Sequence, residues 1–167
     1  MDRDEIGQEM ERARATFQNL VQTTLRTDLH RRSNGTRWTN RQLLFHMLFG
    51  YLIVRTLMPL VHVLGRIGWS RRFAATLNAA WRQFHLVNYL GSVIGGQLLT
   101  PSAMARLLDR SIDALQQRLG RETEASLNLT MHFPPAWDPY FQPRMTVADV
   151  YHYGTVHFEH HRHQLRC

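Results

Sequence analysis

The sequence predicts an all-α fold, a bundle of four long helices with one or two shorter helical pieces. Apolar residues recur at steps of three and four in four long segments, which is the spacing of a helix with one buried face. The alternation that is typical of β-strands is absent, and no repeat period is evident. The chain has 167 residues, 44% of them hydrophobic, which suits a domain with its own core. We therefore expect residues 1–167 to form a single helical domain.

The first two helices follow from apolar spacing and from a capping signal. Residues 4–29 are expected to form the first helix, with its apolar residues on one face. The second helix begins after Thr39, a good N-cap residue with Gln42 at the capping-box position. It is apolar nearly all round and contains His46, so it should be the most buried element. We expect it to end or kink near Pro59, because proline cannot donate the helical hydrogen bond.

The middle of the chain is interrupted by five glycines in residues 65–96, which we interpret as an insert between the second and third long helices. A short helix fits residues 71–84. Residues 85–96 are apolar, and could line a pocket or a subunit contact; we prefer an ordinary connection over the core. The third long helix is expected to begin near Pro101 and to end at Gly120.

The last helix holds the densest group of histidines. A loop rich in proline and aromatic residues, 121–141, leads to it, and Thr146 is its expected N-cap. His157 and His161 lie one turn apart on its inward face, a spacing at which two imidazoles can bind one metal ion. The alternative is a helix end with solvated histidines near the negative end of the helix dipole. His46, taken alone, is more often satisfied by a carbonyl or carboxylate than by a metal.

The basic composition raises the question of whether the protein binds nucleic acid or an anionic membrane. The net charge is +7 with the histidines neutral, and arginine supplies all of the Lys+Arg total. Such a chain could meet nucleic acid or an anionic membrane. However, its arginines are scattered, and it has no zinc-finger spacing and no aromatic RNA-binding motif. We therefore place a nucleic-acid or membrane-associated function last and do not expect nucleic acid as a partner.

The sequence also bears on membrane insertion and compartment. Residues 43–64 are apolar and long enough to raise the question of a membrane span. They include Arg55, which is costly in lipid, so we expect a buried helix and no transmembrane segment. The charged N-terminus lacks the apolar core of a signal peptide. The one cysteine, Cys167, allows no disulfide framework and no cysteine-based metal site, which suits a reducing cytoplasm.

Two histidine-containing segments give the chain a resemblance to a known family. They are Trp-Thr-Asn-Arg-Gln-Leu-Leu-Phe-His-Met at 38–47 and His-Phe-Glu-His-His-Arg-His-Gln-Leu at 157–165. With these segments the chain resembles the DinB-like superfamily of small four-helix bundles, which includes YfiT-type proteins regarded as metal-dependent hydrolases. The resemblance spans about residues 4–166. It implies an up-down-down-up bundle in which the insert at 65–96 is longer than in compact members.

The same resemblance implies a site and a chemistry. In the family, the histidine of the first segment joins the two of the second, so His46, His157 and His161 would bind a divalent ion, zinc or nickel. Some members act as thiol-dependent S-transferases, so a low-molecular-weight thiol such as bacillithiol, mycothiol or glutathione, a small-molecule substrate and a homodimer are implied. Three neutral imidazoles leave an open coordination position, where a water or thiol would become a nucleophilic anion. The alternative is a non-enzymatic metal or small-ligand binding module or sensor.

Further residues near the histidines leave two interpretations open. Glu159, His160 and His163 are candidates for proton transfer or for supporting the ligands. A solvent-facing helix surface is the interpretation we prefer for all three. Gly50 and Gly154 lie about one turn from proposed ligands. The absent side chains could leave space beside an ion, or could serve helix packing alone.

Overall fold

A computed structural model describes residues 2–166, so Met1 and the lone cysteine, Cys167, lie outside the described residues. The described range contains helices and two short strands. In chain order they are α1 (Arg3–Thr23), α2 (Arg26–Leu29), α3 (Asn40–Ile67), α4 (Ser70–Ala79), α5 (Trp81–Leu98), α6 (Pro101–Leu119), α7 (Glu124–Leu127), β1 (Thr130–His132), β2 (Arg144–Thr146) and α8 (Val147–Arg162). The predicted all-α bundle is confirmed.

Four helices form a closed ring in which α1 packs on α6 and α8, and α3 packs on the same two helices. The first pair that fixes their directions is α1 and α6. Arg14 pairs with Asp113 at 2.6 Å, and Gln116 donates to the carbonyl of Gly7 at 3.3 Å. Early residues of one helix thus meet late residues of the other, and α1 and α6 are antiparallel.

The remaining pairs complete the topology. Tyr51 on α3 hydrogen bonds to Thr155 on α8, whereas His46, earlier in α3, lies beside the later His161, so these two helices are antiparallel. Between α1 and α8 the contacts follow the same order along both helices: Glu9 pairs with His152, and further along each helix the rings of Phe17 and Phe158 meet. Helices α1 and α8 are therefore parallel, and the bundle runs up-down-down-up.

Helix α3 is the most buried element, as its apolar composition predicts. It contacts α5, α6 and α8, and its inward side chains meet those of α1 and α8 in one core. By length and composition α3 could cross a membrane, with a mean hydropathy of 1.7 in its most apolar window. A core helix of a helical bundle meets the same criterion. Helix α3 lies between α5, α6 and α8, which is the position of such a core helix.

Local capping signals place the helix starts where the sequence predicts them. Thr39 accepts from the backbone N–H of Gln42, whose side chain accepts from the backbone N–H of Thr39. Thr146 makes the same reciprocal pair with Asp149 at the start of α8. Each box satisfies two backbone donors that a helix start leaves unpaired. The predicted limits of α6, near Pro101 and Gly120, are also confirmed.

Two helix ends differ from the sequence prediction. The first helix stops at Thr23 instead of continuing to Leu29, because the backbone is extended at Thr24, with a ψ of 123°. Leu25 is 66% exposed, and the predicted last turn forms the separate helix α2. The second helix passes through Pro59 and ends at Ile67, and the next residue, Gly68, has a left-handed φ of 71°. Buried side chains continue beyond the proline on the same face of α3, and their packing offsets the lost hydrogen bond. These side chains are Val61 and Leu64.

The glycine-containing insert is more helical than predicted. The helix expected at 71–84 is split at Ala80 into α4 and α5, and the expected connection at 85–96 lies wholly inside α5. Glycine at position 95 permits α5 to pack closely on α3, since a Cβ there would come within 2.3 Å of the Phe45 ring. Helix α5 therefore lies closely against the first half of α3 and runs back antiparallel to it.

The segment before α8 contains structure that the sequence analysis missed. Within the predicted loop 121–141 lie α7 and strand β1, and β1 pairs antiparallel with β2. Nothing in the sequence indicates these two strands. Three-residue strands are too short to show alternation, and only Met131 and Met145 point into the core. This hairpin ends directly at the start of α8 and so fixes where that helix begins.

Candidate metal centre

The three histidines that the resemblance implies come together between α3 and α8. Their ring centroids are 4.7 Å apart for His46 and His157, 4.4 Å for His46 and His161, and 4.6 Å for His157 and His161. One nitrogen from each ring lies within 4.8 Å of the other two. The ring planes are inclined to one another by 76–87°, and the three nitrogens that could hold an ion come from two helices.

Two glycines allow the helices to approach closely enough for this. A Cβ on Gly50 would lie 3.0 Å from the His157 ring, and one on Gly154 would lie 3.0 Å from the Tyr51 ring. The His157 ring thus lies against bare backbone of α3. Of the two interpretations open from the sequence, the structure supports close helix packing at both glycines, and packing at Gly50 also places a histidine.

A hydrogen bond from the insert orients His46. Its Nδ1 lies 3.0 Å from the Ser92 hydroxyl, which itself donates to the carbonyl of Asn88 at 2.9 Å. Because that hydroxyl proton is already used, Ser92 accepts from His46, and the ring proton lies on Nδ1. The Nε2 atom of His46 is left with its lone pair available to an ion. Protein groups that hold metal-binding imidazoles commonly fix the tautomer in this way.

A second hydrogen bond orients His161. Its Nδ1 donates to the Oε1 of Gln164 at 2.7 Å, which again leaves the Nε2 lone pair available. The amide nitrogen of Gln164 lies 3.4 Å from the Nε2 of His160. Gln164 is held from its other side, because its carbonyl accepts from the backbone N–H of Asn34 at 2.7 Å. The segment that follows α8 therefore helps to hold His161.

His157 is the least satisfied polar side chain of the site. It is 4% exposed, and neither of its ring nitrogens has a hydrogen-bond partner among residues 2–166. A buried polar group without a partner costs about 1–3 kcal/mol. A ring at the centre of a histidine cluster can recover that cost by coordinating a cation. This orphaned imidazole is the observation that best fits a metal ion.

The electrostatics keep all three rings neutral at physiological pH. Burial, together with the neighbouring His161 and His160, lowers the pKa of His157 to about 3. Burial also lowers the pKa of His161 to about 4 and that of His46 well below its usual value. Neutral imidazole is the form that binds metals, so the site is ready for an ion without losing protons first.

Aromatic rings surround the cluster on its protein side. Between ring centroids, Trp38 is 4.2 Å and Phe49 is 6.4 Å from His46. Tyr153 stacks on His157 with a centroid distance of 5.7 Å and an interplanar angle of 15°. His46 and His157 are buried, whereas His161 is partly exposed. Solvent therefore meets the cluster at His161, and the opposite side is apolar.

The three candidates for proton transfer have different surroundings. His160 accepts or donates a hydrogen bond with the Tyr140 hydroxyl at 2.8 Å and lies beside Gln164, so it borders the site. Glu159 forms an ion pair with Arg162 at 2.7 Å on the helix surface. His163 is exposed at the end of α8. Of the three, only His160 is connected to a proposed ligand.

Several contributors had no assigned role in the sequence analysis. Gln164 follows His161 by three residues, and that spacing could have been noticed. Trp38 was part of the first histidine segment but had no function attached to it. Ser92 and Tyr153 gave no signal, because neither residue lies at a motif position and each meets its histidine only through the packing of helices.

Comparison with known proteins agrees with the resemblance. A family model described as the DinB superfamily matches residues 9–165, which is nearly the whole chain and includes all three histidines. No curated protein and no solved structure matches the chain significantly.

Proposed function

The chain belongs to the DinB superfamily, and from that premise we propose that it is a metal-dependent enzyme, a thiol-dependent S-transferase or a hydrolase. His46, His157 and His161 would hold one divalent ion, zinc or nickel, through three imidazole nitrogens. The observation on which the proposal depends is the buried His157 ring, which has no hydrogen-bond partner within residues 2–166. Three protein ligands with a further open position are typical of catalytic zinc sites, whereas four protein ligands close a structural one.

When bound, such an ion would lower the pKa of a coordinated water or thiol towards neutrality. Two residues of the chain would support this chemistry by orienting the histidines. Ser92 and Gln164 hold the ring protons of His46 and His161 on Nδ1, so that both Nε2 atoms face the centre. Neutral ligands add no negative charge, so the ion would keep its full double charge for activating a nucleophile.

The same proposal extends to partners and compartment. The substrate would be a small electrophilic molecule, and a low-molecular-weight thiol would be the second cofactor of a transferase. We also propose a homodimer and a cytoplasmic location. The single cysteine of the sequence is in keeping with a reducing compartment, where structural disulfides are rare.

Metal analysis of single-histidine variants tests the site. We expect purified protein to bind roughly one divalent ion per chain, and His46→Ala, His157→Ala and His161→Ala each to lose most of it. His163→Ala is the matched control, because it removes an exposed histidine from the same helix end. Unchanged metal content in the three ligand variants would rule out this site. Loss of metal in the control as well would point to a non-specific histidine-rich surface.

A conjugation assay separates the enzyme from the binding module. Metal-loaded protein is incubated with an electrophilic aryl halide and with bacillithiol, mycothiol or glutathione in turn. We expect turnover with at least one thiol, and its loss after chelation or in His157→Ala. A protein that binds the ion but shows no turnover in this assay or in an ester-hydrolysis assay would favour the non-enzymatic alternative.

A further inference from the structure

A cavity of about 390 Å³ lies beside the histidine cluster. It opens to solvent and is lined by the middle of α3, by α4, by the start of α5, by the segment around β1 and by the first turns of α8. Ligand sites for small molecules commonly have volumes of about 300–1,000 Å³ and mostly apolar walls. The size of this cavity therefore fits a small molecule or a substantial part of one.

The walls of the cavity define the chemistry of its occupant. Among the described residues, the lining includes no arginine, aspartate or glutamate. Its polar rings already have partners: the Tyr153 hydroxyl donates to Asp138 at 2.9 Å, and His132 pairs with Ser70 at 3.2 Å. A charged ligand would lose its hydration here without compensation, whereas an alkyl chain or an aromatic ring would gain about 25 cal/mol for each Å² buried.

A row of aromatic rings connects the cavity to the histidines. Phe133 meets Phe141 at 5.3 Å, Phe141 meets Tyr153 at 4.6 Å, and Tyr153 stacks on His157 at 5.7 Å. On the opposite wall, Phe49 borders both the cavity and the ring of His46. Cavity and histidine cluster therefore share two of their walls.

The segment that closes the cavity is held in place by specific contacts. The Trp137 indole N–H donates to the carbonyl of Leu77 at 2.7 Å, and its ring stacks on Phe84 at 4.0 Å with an angle of 11°. The backbone N–H of Ala136 donates to the side chain of Asn78 at 3.2 Å. Both α4 and α5 of the insert thus help to form the cavity, which gives the insert a role beyond connecting two helices.

We propose that this cavity binds the apolar part of the substrate, an uncharged alkyl or aryl group, while the reactive end of the same molecule reaches the three histidines past Phe49 and Tyr153. This inference rests on the proposed metal function, because it assigns a substrate class to that same centre.

The test uses the full chain loaded with Co²⁺ and straight-chain thiols from ethanethiol to hexanethiol. Binding of a thiolate to Co²⁺ produces a near-ultraviolet charge-transfer band, so each titration gives a dissociation constant. We expect that constant to fall about fourfold for each added methylene, because each buried CH₂ contributes about 0.8 kcal/mol. The uncharged fluorophore N-phenyl-1-naphthylamine is titrated separately, and hexanethiol is expected to displace it.

Variants at the cavity mouth provide the matched comparison. Leu57 and Leu60 line the cavity and are 41% and 38% exposed, so Leu57→Trp and Leu60→Trp can fill the mouth without disturbing the core. In both variants we expect ethanethiol to bind as before and the gain per methylene to disappear. Val63→Trp, at a residue of α3 that is 51% exposed and outside the lining, should keep the gain.

The outcomes distinguish the two proposals. If the Co²⁺–thiolate band forms but the dissociation constant does not depend on the length of the thiol, the cavity proposal is overturned and the metal centre remains intact. The same holds if N-phenyl-1-naphthylamine binds but hexanethiol does not displace it, since the cavity would then be a separate site. Absence of the band with every thiol contradicts an open metal position and overturns both proposals.

Discussion

Two hydrogen bonds determine which ring nitrogen of His46 and of His161 faces the centre of the cluster. Ser92 accepts from His46, and Gln164 accepts from His161. Both acceptors keep the ring proton on Nδ1, where it also increases the basicity of Nε2. His157 has no such partner, so its orientation depends on packing against Gly50 and Tyr153.

Removing the acceptor of His46 should weaken the metal site without abolishing it. In Ser92→Ala we expect the dissociation constant for Zn²⁺ to rise about 10- to 100-fold, because the ring is no longer held in its tautomer and orientation. Isothermal titration with a competing chelator gives the constant. Ser111→Ala is the control, since Ser111 is a buried helix serine that bonds only to a preceding carbonyl, Leu107. Equal affinities in the two variants would contradict the positioning role.

The buried histidines also make the metal-free protein sensitive to acid. The pKa of His157 is about 3 in the folded chain and 6.5 without burial, so at pH 5 the unfolded chain binds a proton that the folded chain does not. The free energy of unfolding should therefore fall as the pH falls below about 6.5. The share due to this one histidine is about 1.4 kcal/mol per pH unit.

Denaturant titrations between pH 7 and pH 4, with a chelator present, measure this dependence. His157→Asn removes the titrating ring, so its stability should decline less steeply by about one proton's share. Identical pH slopes for the variant and the natural protein would show that His157 does not stay neutral in the folded state.

At the scale of single residues, the sequence predicts the site only in part. The spacing of His157 and His161 on one helical face is visible directly, but it is equally compatible with a solvated helix end. His46 joins them only through the resemblance, because no local pattern relates residues more than a hundred positions apart. Ser92 could not be found, since its contact depends on how α5 lies against α3.

Among the elements, the contact between α3 and α8 matters most to the site, because both helices carry proposed ligands. The helices come close at Gly50 and Gly154, where a Cβ would touch an aromatic or imidazole ring of the other helix. This close approach aligns His157 with His46 across the helix interface.

Adding one methyl group at this interface should displace a ligand. In Gly50→Ala the new Cβ would lie about 3.0 Å from the His157 ring, so the ring must shift, and we expect a clear loss of Zn²⁺ affinity. Gly91→Ala is the control on α5, since nothing lies within 4 Å of its new Cβ. That change should leave affinity intact and add up to about 1 kcal/mol of stability. Equal Zn²⁺ affinity in both variants would contradict the packing account.

Helix starts were predictable from sequence, whereas continuity was not. Thr39 and Thr146 act through residues three positions away, so the whole signal lies within one turn. The passage of α3 through Pro59 and the helical state of residues 85–96 depend on packing partners distant in the chain. A glycine-containing apolar segment has low helix propensity alone, and it becomes helical where its glycines fit against another helix.

At the scale of the whole molecule, the outer face of α5 is an exposed apolar surface without a partner in the described chain. It consists of Leu86, Val87, Leu90, Ile94 and Leu98, which are 44–76% exposed. Arg82 is the single charged residue in α5. The chain as a whole has a net charge of +7, so two copies repel elsewhere but can meet on this uncharged face.

We therefore expect the proposed homodimer to form through α5. Light scattering after size exclusion should give twice the chain mass of 19.6 kDa. Leu90→Arg places charges face to face across a two-fold contact and should shift the protein to the monomer. Leu25→Arg, at an exposed leucine outside this face, should remain dimeric. A natural protein that is monomeric at all concentrations, or a dimer unaffected by Leu90→Arg, would contradict this interface.

The fold as a whole was predictable to the level of its class. Helical periodicity in four long segments indicates a bundle, and the resemblance adds the up-down-down-up order of its helices. The position of the cavity was not predictable, because its walls come from five separate segments that meet only in the folded chain.

The most direct test of the central claim is an anomalous-scattering map from crystals grown without added metal. We predict one strong peak per chain, about 2.0–2.1 Å from a ring nitrogen of each of His46, His157 and His161. Its absorption edge would identify the element, and the map would show whether a fourth position is free. A map with no peak between α3 and α8 from protein that retains bound metal, or with peaks only at the exposed histidines, would contradict the account.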